Sequence, residues 1–344
     1  MVAAIIVALW AVVRWMKNPT WPRLILAGLL CGLSIYVKSV AVFFIAPALA
    51  GLLLTNFKFK QLFSNKQVWV LFLLSVFPYI AYHIYGVYIL GILGEQFSLR
   101  FFPSLWLDPV FYLQWINEIK GVIGLEIFLS GLAGLLVFPK KRWHGLLLGL
   151  LLGYFAYGFV LPYHISTHDY YQMPLLAFTA LGLAALFANI IEQLPRRNWY
   201  ALGSIALVLA AFMLLKTWDS RVAFKKIDYH NETRFWEKLG ERLGHDSRVT
   251  GLMSDYGYRL AYWGWVDVSP WLQTSDINLR ELAGQEVDLQ SAFESAVAGN
   301  DYFVVTLMDE FARQPDLQAA LDAGYALIES NDEVLIYDLN APLN

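Results

Sequence analysis

The chain has 344 residues, of which 58% are hydrophobic and only 15% charged, against about 45–50% and about 25% in soluble domains. Its mean hydropathy of +0.49 is more than a soluble core of this size can hide, and ordinary Gly and Pro contents with a single Cys exclude disordered, collagen-like and disulfide-stapled chains. The net charge of −3 divides unevenly: residues 1–215 carry 14 Lys/Arg and 6 Asp/Glu, and residues 216–344 carry 11 and 22.

A basic apolar front joined to an acidic tail means two domains in two environments. The expected division is a polytopic α-helical membrane domain over 1–217 and a small extracytoplasmic α/β domain over 218–344. The acidic tail repels phosphate backbones, so no nucleic-acid partner is expected. Cys31 sits within an apolar run and reads as a small buried residue.

A spanning helix needs roughly 17–25 mostly apolar residues. Eight apolar segments meet or approach this: about 1–16, 23–37, 40–55, 67–91, 121–138, 144–162, 172–191 and 199–217. The apolar run begins at Met1 without a basic region or a small-residue cleavage site, so it does not read as a signal peptide. Segments 23–37 and 40–55 are short and joined at Lys38-Ser39, which predicts a helical hairpin with its turn at the membrane surface.

The connectors set the orientation. Arg14, Lys17 and Arg23 flank the first, Lys58, Lys60 and Lys66 fill the third, Lys140, Lys141 and Arg142 the fifth, and Arg196 and Arg197 the seventh, which is 11 of the 14 basic residues of the front. The positive-inside rule puts these loops in the cytoplasm. The N-terminus, Lys38, loops 92–120 and 163–171, and the acidic tail then lie outside, in a multi-pass protein of the cell inner membrane.

Three outside elements concentrate polar and aromatic residues. Lys38 places a charge between apolar segments, where charge is costly and marks a functional site; a snorkelling side chain is the alternative. Loop 92–120 carries Phe97, Phe101, Phe102, Trp106, Phe111, Tyr112 and Trp115, as expected of a segment lying along the interface. Its Arg100 suits a phosphate through bidentate donation, and Asp108 and Glu118 are its candidate acids.

Tyr163-His-Ile-Ser-Thr-His-Asp-Tyr-Tyr171 holds two His, one Asp and three Tyr. Pro162 points to a loop there. His168 and Asp169 suit sugar hydroxyls or phosphate, and Tyr170 and Tyr171 suit either that pocket or the interfacial belt. His164 and His168 lack the further ligands a metal site needs, so no metal is expected. His83, among Tyr79, Tyr82 and Tyr85, reads as an interhelical histidine or a cavity residue.

In the tail, Asn231–Gly244 is amphipathic at helical spacing. Arg248–Met253 and Asp301–Thr306 read as buried strands, Pro315–Ala323 as a helix with Pro in its first turn, and Tyr325–Glu329 with Glu333–Asp338 as a hairpin. This order predicts a parallel or mixed sheet covered by helices. The aromatic run Tyr256–Trp265 reads as strand-to-helix core, with a carbohydrate surface as the alternative. No phosphate-binding glycine loop follows a strand.

The stretch Pro19–Leu54, PTWPRLILAGLLCGLSIYVKSVAVFFIAPALAGLLL, with its basic turn, Gly-rich helix and Lys near the outer surface, resembles a region of the GT-C membrane glycosyltransferases. His168–Phe187, HDYYQMPLLAFTALGLAALF, resembles their later segment in which H-x-Y-Y precedes Pro and a small-residue helix. The resemblance is to the bacterial branch that includes protein O-mannosyltransferases and the lipid A aminoarabinose transferase, over roughly residues 17–191 and more weakly in the tail.

That resemblance implies transfer of a sugar from a polyprenyl-phosphate donor to an acceptor hydroxyl on a glycan, lipid or protein outside the membrane. No cofactor is implied beyond the donor substrate. Lys38 and Arg100 match the cations the leaving phosphate needs, and His168, Asp169, Tyr170 and Tyr171 lie in the H-x-Y-Y stretch beside the donor cavity. The general base of these enzymes is a carboxylate in a large outside loop after the first span. Asp108, Glu118 and Asp169 do not match it by position, so the expectation is that it lies upstream of Met1, and no base is assigned. The alternative is a non-catalytic lipid-binding or accessory membrane protein derived from the same fold.

Overall fold

The computed structural model describes residues 1–93, 99–138, 143–193, 199–226 and 229–343. Phe97, Lys140, Lys141, Arg142, Arg196 and Arg197 lie outside the described residues. The chain divides into two compact units, Met1–Ser204 and Ile205–Asn344.

The first unit is helical. In order come α1 (Val2–Lys17), α2 (Trp21–Val37), a 3₁₀ turn (Ser39–Ala41), α3 (Val42–Asn56), α4 (Phe59–Ser64) and α5 (Lys66–Ile84), which continues as a π-helical turn over Tyr85–Ile89. A second 3₁₀ turn (Pro103–Leu107) leads to α6 (Pro109–Val122), α7 (Leu125–Leu136), α8 (His144–Val160) and α9 (Pro162–Thr167). A third 3₁₀ turn (Asp169–Gln172), α10 (Met173–Gln193) and α11 (Trp199–Lys226) follow; α11 runs across both the division between the units and residue 217.

Among the described residues, four helices are long and apolar enough to cross a membrane: Ser39–Asn56, Lys66–Ile89, Asp169–Gln193 and Trp199–Lys226. The pair α6–α7, bent by 91°, makes a fifth if counted as one span, and α2 and α8 are shorter apolar helices. The chain is mostly helical, with several apolar helices of the kind that cross membranes and a small C-terminal sheet domain.

The structure corrects three local expectations. The helices flanking Lys38 do not form a packed hairpin: α2 packs mainly on α1 and α5, and α3 on α8. The reason lies in small residues. A Cβ on Gly51 of α3 would fall on the carbonyl of Gly145 in α8, and a Cβ on Gly145 on that of Gly51, so both positions require glycine for the backbones to approach this closely.

The second correction is in 92–120, where a helix, α6, takes up the expected loop from Pro109 onward. Asp108 caps it by accepting a hydrogen bond from the Val110 N–H at 2.8 Å, and Pro109 takes the first helical position, where its missing N–H costs nothing. At Gly124, with φ +86°, the chain leaves α6 and starts α7. The third correction is α9. Pro162 does not keep 163–167 in a loop; it starts a helix there, again by occupying the first turn.

The second unit adds α12 (Glu232–Leu243), β1 (Arg248–Leu252), α13 (Tyr258–Trp263), β2 (Asp267–Pro270), α14 (Thr274–Leu282), α15 (Leu289–Val297), β3 (Tyr302–Val305), α16 (Met308–Phe311), α17 (Pro315–Gly324), β4 (Tyr325–Ser330) and β5 (Leu335–Pro342). The sheet order is β2-β1-β3-β5-β4. β1 runs parallel to β2 and β3, while β5 is antiparallel to β3 and β4.

Both faces are covered. Val304 and Ile336 join a cluster with Trp236, Leu239 and Leu260, whereas their neighbours Phe303, Val305 and Tyr337 join one with Trp271, Leu317 and Leu321, as the two-residue period of a strand dictates. The run 256–265 is only partly core: Leu260 is buried, but Tyr258, Tyr262 and Trp265 are exposed.

Candidate functional site

Lys38 ends α2 in an extended conformation, with φ −154° and ψ 117°. Its N–H donates to the Ser34 carbonyl at 3.3 Å, and its own carbonyl accepts from the Ala41 N–H at 2.9 Å. The backbone is therefore fixed on both sides while the side chain is left exposed. Its Nζ stands 5.4 Å from the ring centre of Tyr170 and 5.2 Å from that of Tyr171, a cation over two aromatic faces.

The two tyrosines come from the third 3₁₀ turn, which a polar chain locks in place. The Trp115 indole N–H donates to the Tyr154 hydroxyl at 2.6 Å, and that hydroxyl donates to Gln172 Oε1 at 2.6 Å. Gln172 Nε2 donates to the Ile165 carbonyl at 2.8 Å. Every member of this chain is buried among aromatic rings, where an unmatched polar group is expensive. Tyr171 stacks on Tyr157 with ring centres 5.6 Å apart and planes 9° apart, so the face turned to Lys38 rests on a rigid base.

His164 and His168 extend the wall. Their rings stack at 5.7 Å, and His168 lies 5.4 Å from Tyr170 and 5.8 Å from Tyr171. Thr167 Oγ1 pairs with His168 Nδ1 at 2.8 Å. Burial, with the charges of His168, Arg100 and Lys38, pushes His164 down to about 4, so its imidazole is neutral at pH 7. His168 is also lowered, by burial, against the opposing pull of Glu118 and Asp169.

Arg100 completes the cationic side. Although its side chain is exposed, partial desolvation at its base and then the Arg100 guanidinium hold Lys38 below the ordinary lysine value, so two like charges are held within electrostatic reach. Arg100 also lines a cavity of about 290 Å³ whose other walls include Ile35, Val40, Phe43, Tyr79 and Leu161. Apart from that guanidinium the lining is almost wholly apolar. The arrangement joins a doubled positive charge, an aromatic wall and an oily recess, which suits an anion that carries an apolar tail.

The structure thus gathers Lys38, Arg100, His168, Asp169, Tyr170 and Tyr171 into one neighbourhood. Glu118, on α6, is near enough for its charge to act on His168. Asp108 is engaged as a helix cap, and His83 stacks on Tyr79 at 5.8 Å within α5. Among the described residues no group of three or more His, Cys, Asp or Glu side chains is arranged to hold a metal ion. Sequence reasoning passed over Tyr154, Tyr157 and Gln172. Their signal was two tyrosines at helical spacing inside an apolar helix and an amide at the start of another, each a polar group that a membrane helix spends only with a partner. No family model matches the chain, and no curated protein matches it.

Proposed function

We propose that this protein is a membrane glycosyltransferase of the GT-C kind, which moves a sugar from a polyprenyl-phosphate donor to an acceptor hydroxyl on the extracytoplasmic side. The observation that carries this reading is the pairing of Lys38 and Arg100 beside the apolar cavity of about 290 Å³. Two cations that repel each other gain most from an anion placed between them, and the cavity would take the first part of an apolar chain attached to it.

The eight apolar helices α1, α2, α3, α5, α7, α8, α10 and α11 are the spans in this reading. It is supported by the meeting of Lys38, Arg100 and His164–Tyr171, three segments that the alternation of basic loops assigns to one side. In the transfer, the acceptor oxygen bonds to the anomeric carbon and the bond from that carbon to the phosphate oxygen breaks. The electron pair leaves with polyprenyl phosphate, whose charge Lys38 and Arg100 balance, and the acceptor proton passes to a base that is not assigned here. The alternative reading, lipid-phosphate binding without transfer, uses the same groups and omits the last step.

The test is turnover of radiolabelled polyprenyl-phosphate sugar by the purified full chain in lipid nanodiscs, alongside binding of undecaprenyl phosphate. Lys38→Ala is expected to lower turnover by about 10²–10³-fold, the scale of losing one group that stabilises developing charge. Binding of undecaprenyl phosphate without any transfer would select the accessory reading. Unchanged binding by a Lys38→Ala, Arg100→Ala variant would overturn both.

A further inference from the structure

A second apolar groove, of about 370 Å³, lies between α1, α8 and α10 and takes no part in the site above. Its α1 wall is Val2, Ile6, Leu9, Trp10 and Val13, and it ends on Lys17. These positions recur three and four residues apart, so they form one face of the helix. Ile6 and Trp10 are about half exposed, at 50% and 52%, while Ile5 at the back of the groove is buried, so the outer edge of this face is open. Lys17 is the one charged residue among the described residues that line the groove.

The Arg14 guanidinium stands 4.8 Å over the Trp10 ring, so the last turn of α1 sets two cations beside one end of an apolar wall. Among the described residues, the ion pairs include neither of them. From Val2 to Lys17 the stripe extends about 22 Å at about 1.5 Å per residue, longer than the roughly 15 Å of hydrocarbon in one leaflet. We infer that this groove seats an acyl chain of an anionic glycerophospholipid, with the headgroup phosphate at Lys17 and Arg14.

The apolar wall excludes water and matches a hydrocarbon chain, and the uncompensated cations at its end match a phosphodiester. A second copy fits less well. Two copies share one orientation in a membrane, so a self-contact through α1 would set Lys17 at the level of its counterpart and add like charge to like.

The test is native mass spectrometry of the full chain, equilibrated in detergent with equal amounts of dioleoylphosphatidylglycerol and dioleoylphosphatidylcholine. The wild type is expected to keep the anionic lipid over the zwitterionic one by about fivefold or more, the scale of one basic residue near a charged headgroup. Lys17→Gln should bring the ratio close to one. Ala177→Phe, which fills the groove from α10, should lower retention of both lipids with an unchanged circular dichroism spectrum, while Lys60→Gln, at a basic residue of α4 that does not line the groove, should leave the ratio as it is. Equal retention by the wild type, or a preference that survives Lys17→Gln with Arg14→Gln, would overturn the inference. So would a protein–protein adduct in place of a lipid adduct from a benzophenone side chain put at Ile6.

Discussion

In the first unit α7 meets α10 where a Cβ on Gly134 would fall on the carbonyl of Gly182, whereas in the second β3 buries Phe303, Val304 and Val305 side by side with no exposure at all. One unit removes side chains to bring backbones together and the other adds them to fill a sheet. In water, apolar surface is driven inward at about 25 cal/mol per Å². Among hydrocarbon chains that drive is absent, and helices associate by close fit and by the few hydrogen bonds they share. The Trp115–Tyr154–Gln172 chain and the glycine contacts are the devices of the first unit; the aromatic and β-branched strands are those of the tail.

The contrast breaks if the same kind of substitution hurts both units alike. Phe303→Ala is expected to cost the tail about 3–5 kcal/mol, read as a drop in the denaturant midpoint for proteolysis within 229–343, with the helical unit still folded in detergent. Gly134→Val should cost the helical unit about 1–3 kcal/mol by forcing α7 from α10. A thermal-aggregation scan in detergent would show it, and the tail's protease resistance should not move. Equal loss from Gly134→Val in both measurements would mean that the units do not unfold separately.

Two smaller changes sharpen the picture of the site. Asp108→Ala removes the cap of α6 and should cost about 1 kcal/mol, seen as a lower melting temperature. The second change is one of pH. His164 sits at about 4 in the folded protein against about 6.5 in an unfolded chain, so the unfolded state binds more protons between these values. Its contribution to stability is complete above pH ~6.5 and is lost as pH falls toward 4. His168 is shifted in the same direction, so His164→Phe should weaken the acid sensitivity of the melting temperature without abolishing it. An unaltered pH profile in that variant would place the titration elsewhere.

Much of the helical unit was legible because a membrane helix writes itself as an uninterrupted apolar run. The strands β1 and β3 were legible for a similar reason, since both are buried on two faces from Val249 and Phe303 onward and are therefore mostly apolar there. The reading does not anticipate β2: Asp267-Val-Ser-Pro270 is polar, short and closed by proline, which only an edge strand tolerates. The start of α6 was not read from the sequence, although Asp108-Pro109 is a cap followed by a first-turn proline. The separate neighbours of α2 and α3 could not be read from Lys38-Ser39, because partner choice rests on which glycines face each other across distant segments. For the site, residue types named its cations and rings, but the buried support beneath them depends on contacts between α6, α8 and the turn before α10 that no local pattern encodes.

The bend at Gly124 bears on how the chain is made. It leaves α7 with 12 residues, about 18 Å of helix against a hydrocarbon layer of about 30 Å. A helix this short does not cross such a layer by itself. Its close backbone partner on α10, Gly182, is synthesised nearly 50 residues after Gly134, so the small-residue face of α7 stays unpaired until α10 has followed it out of the ribosome.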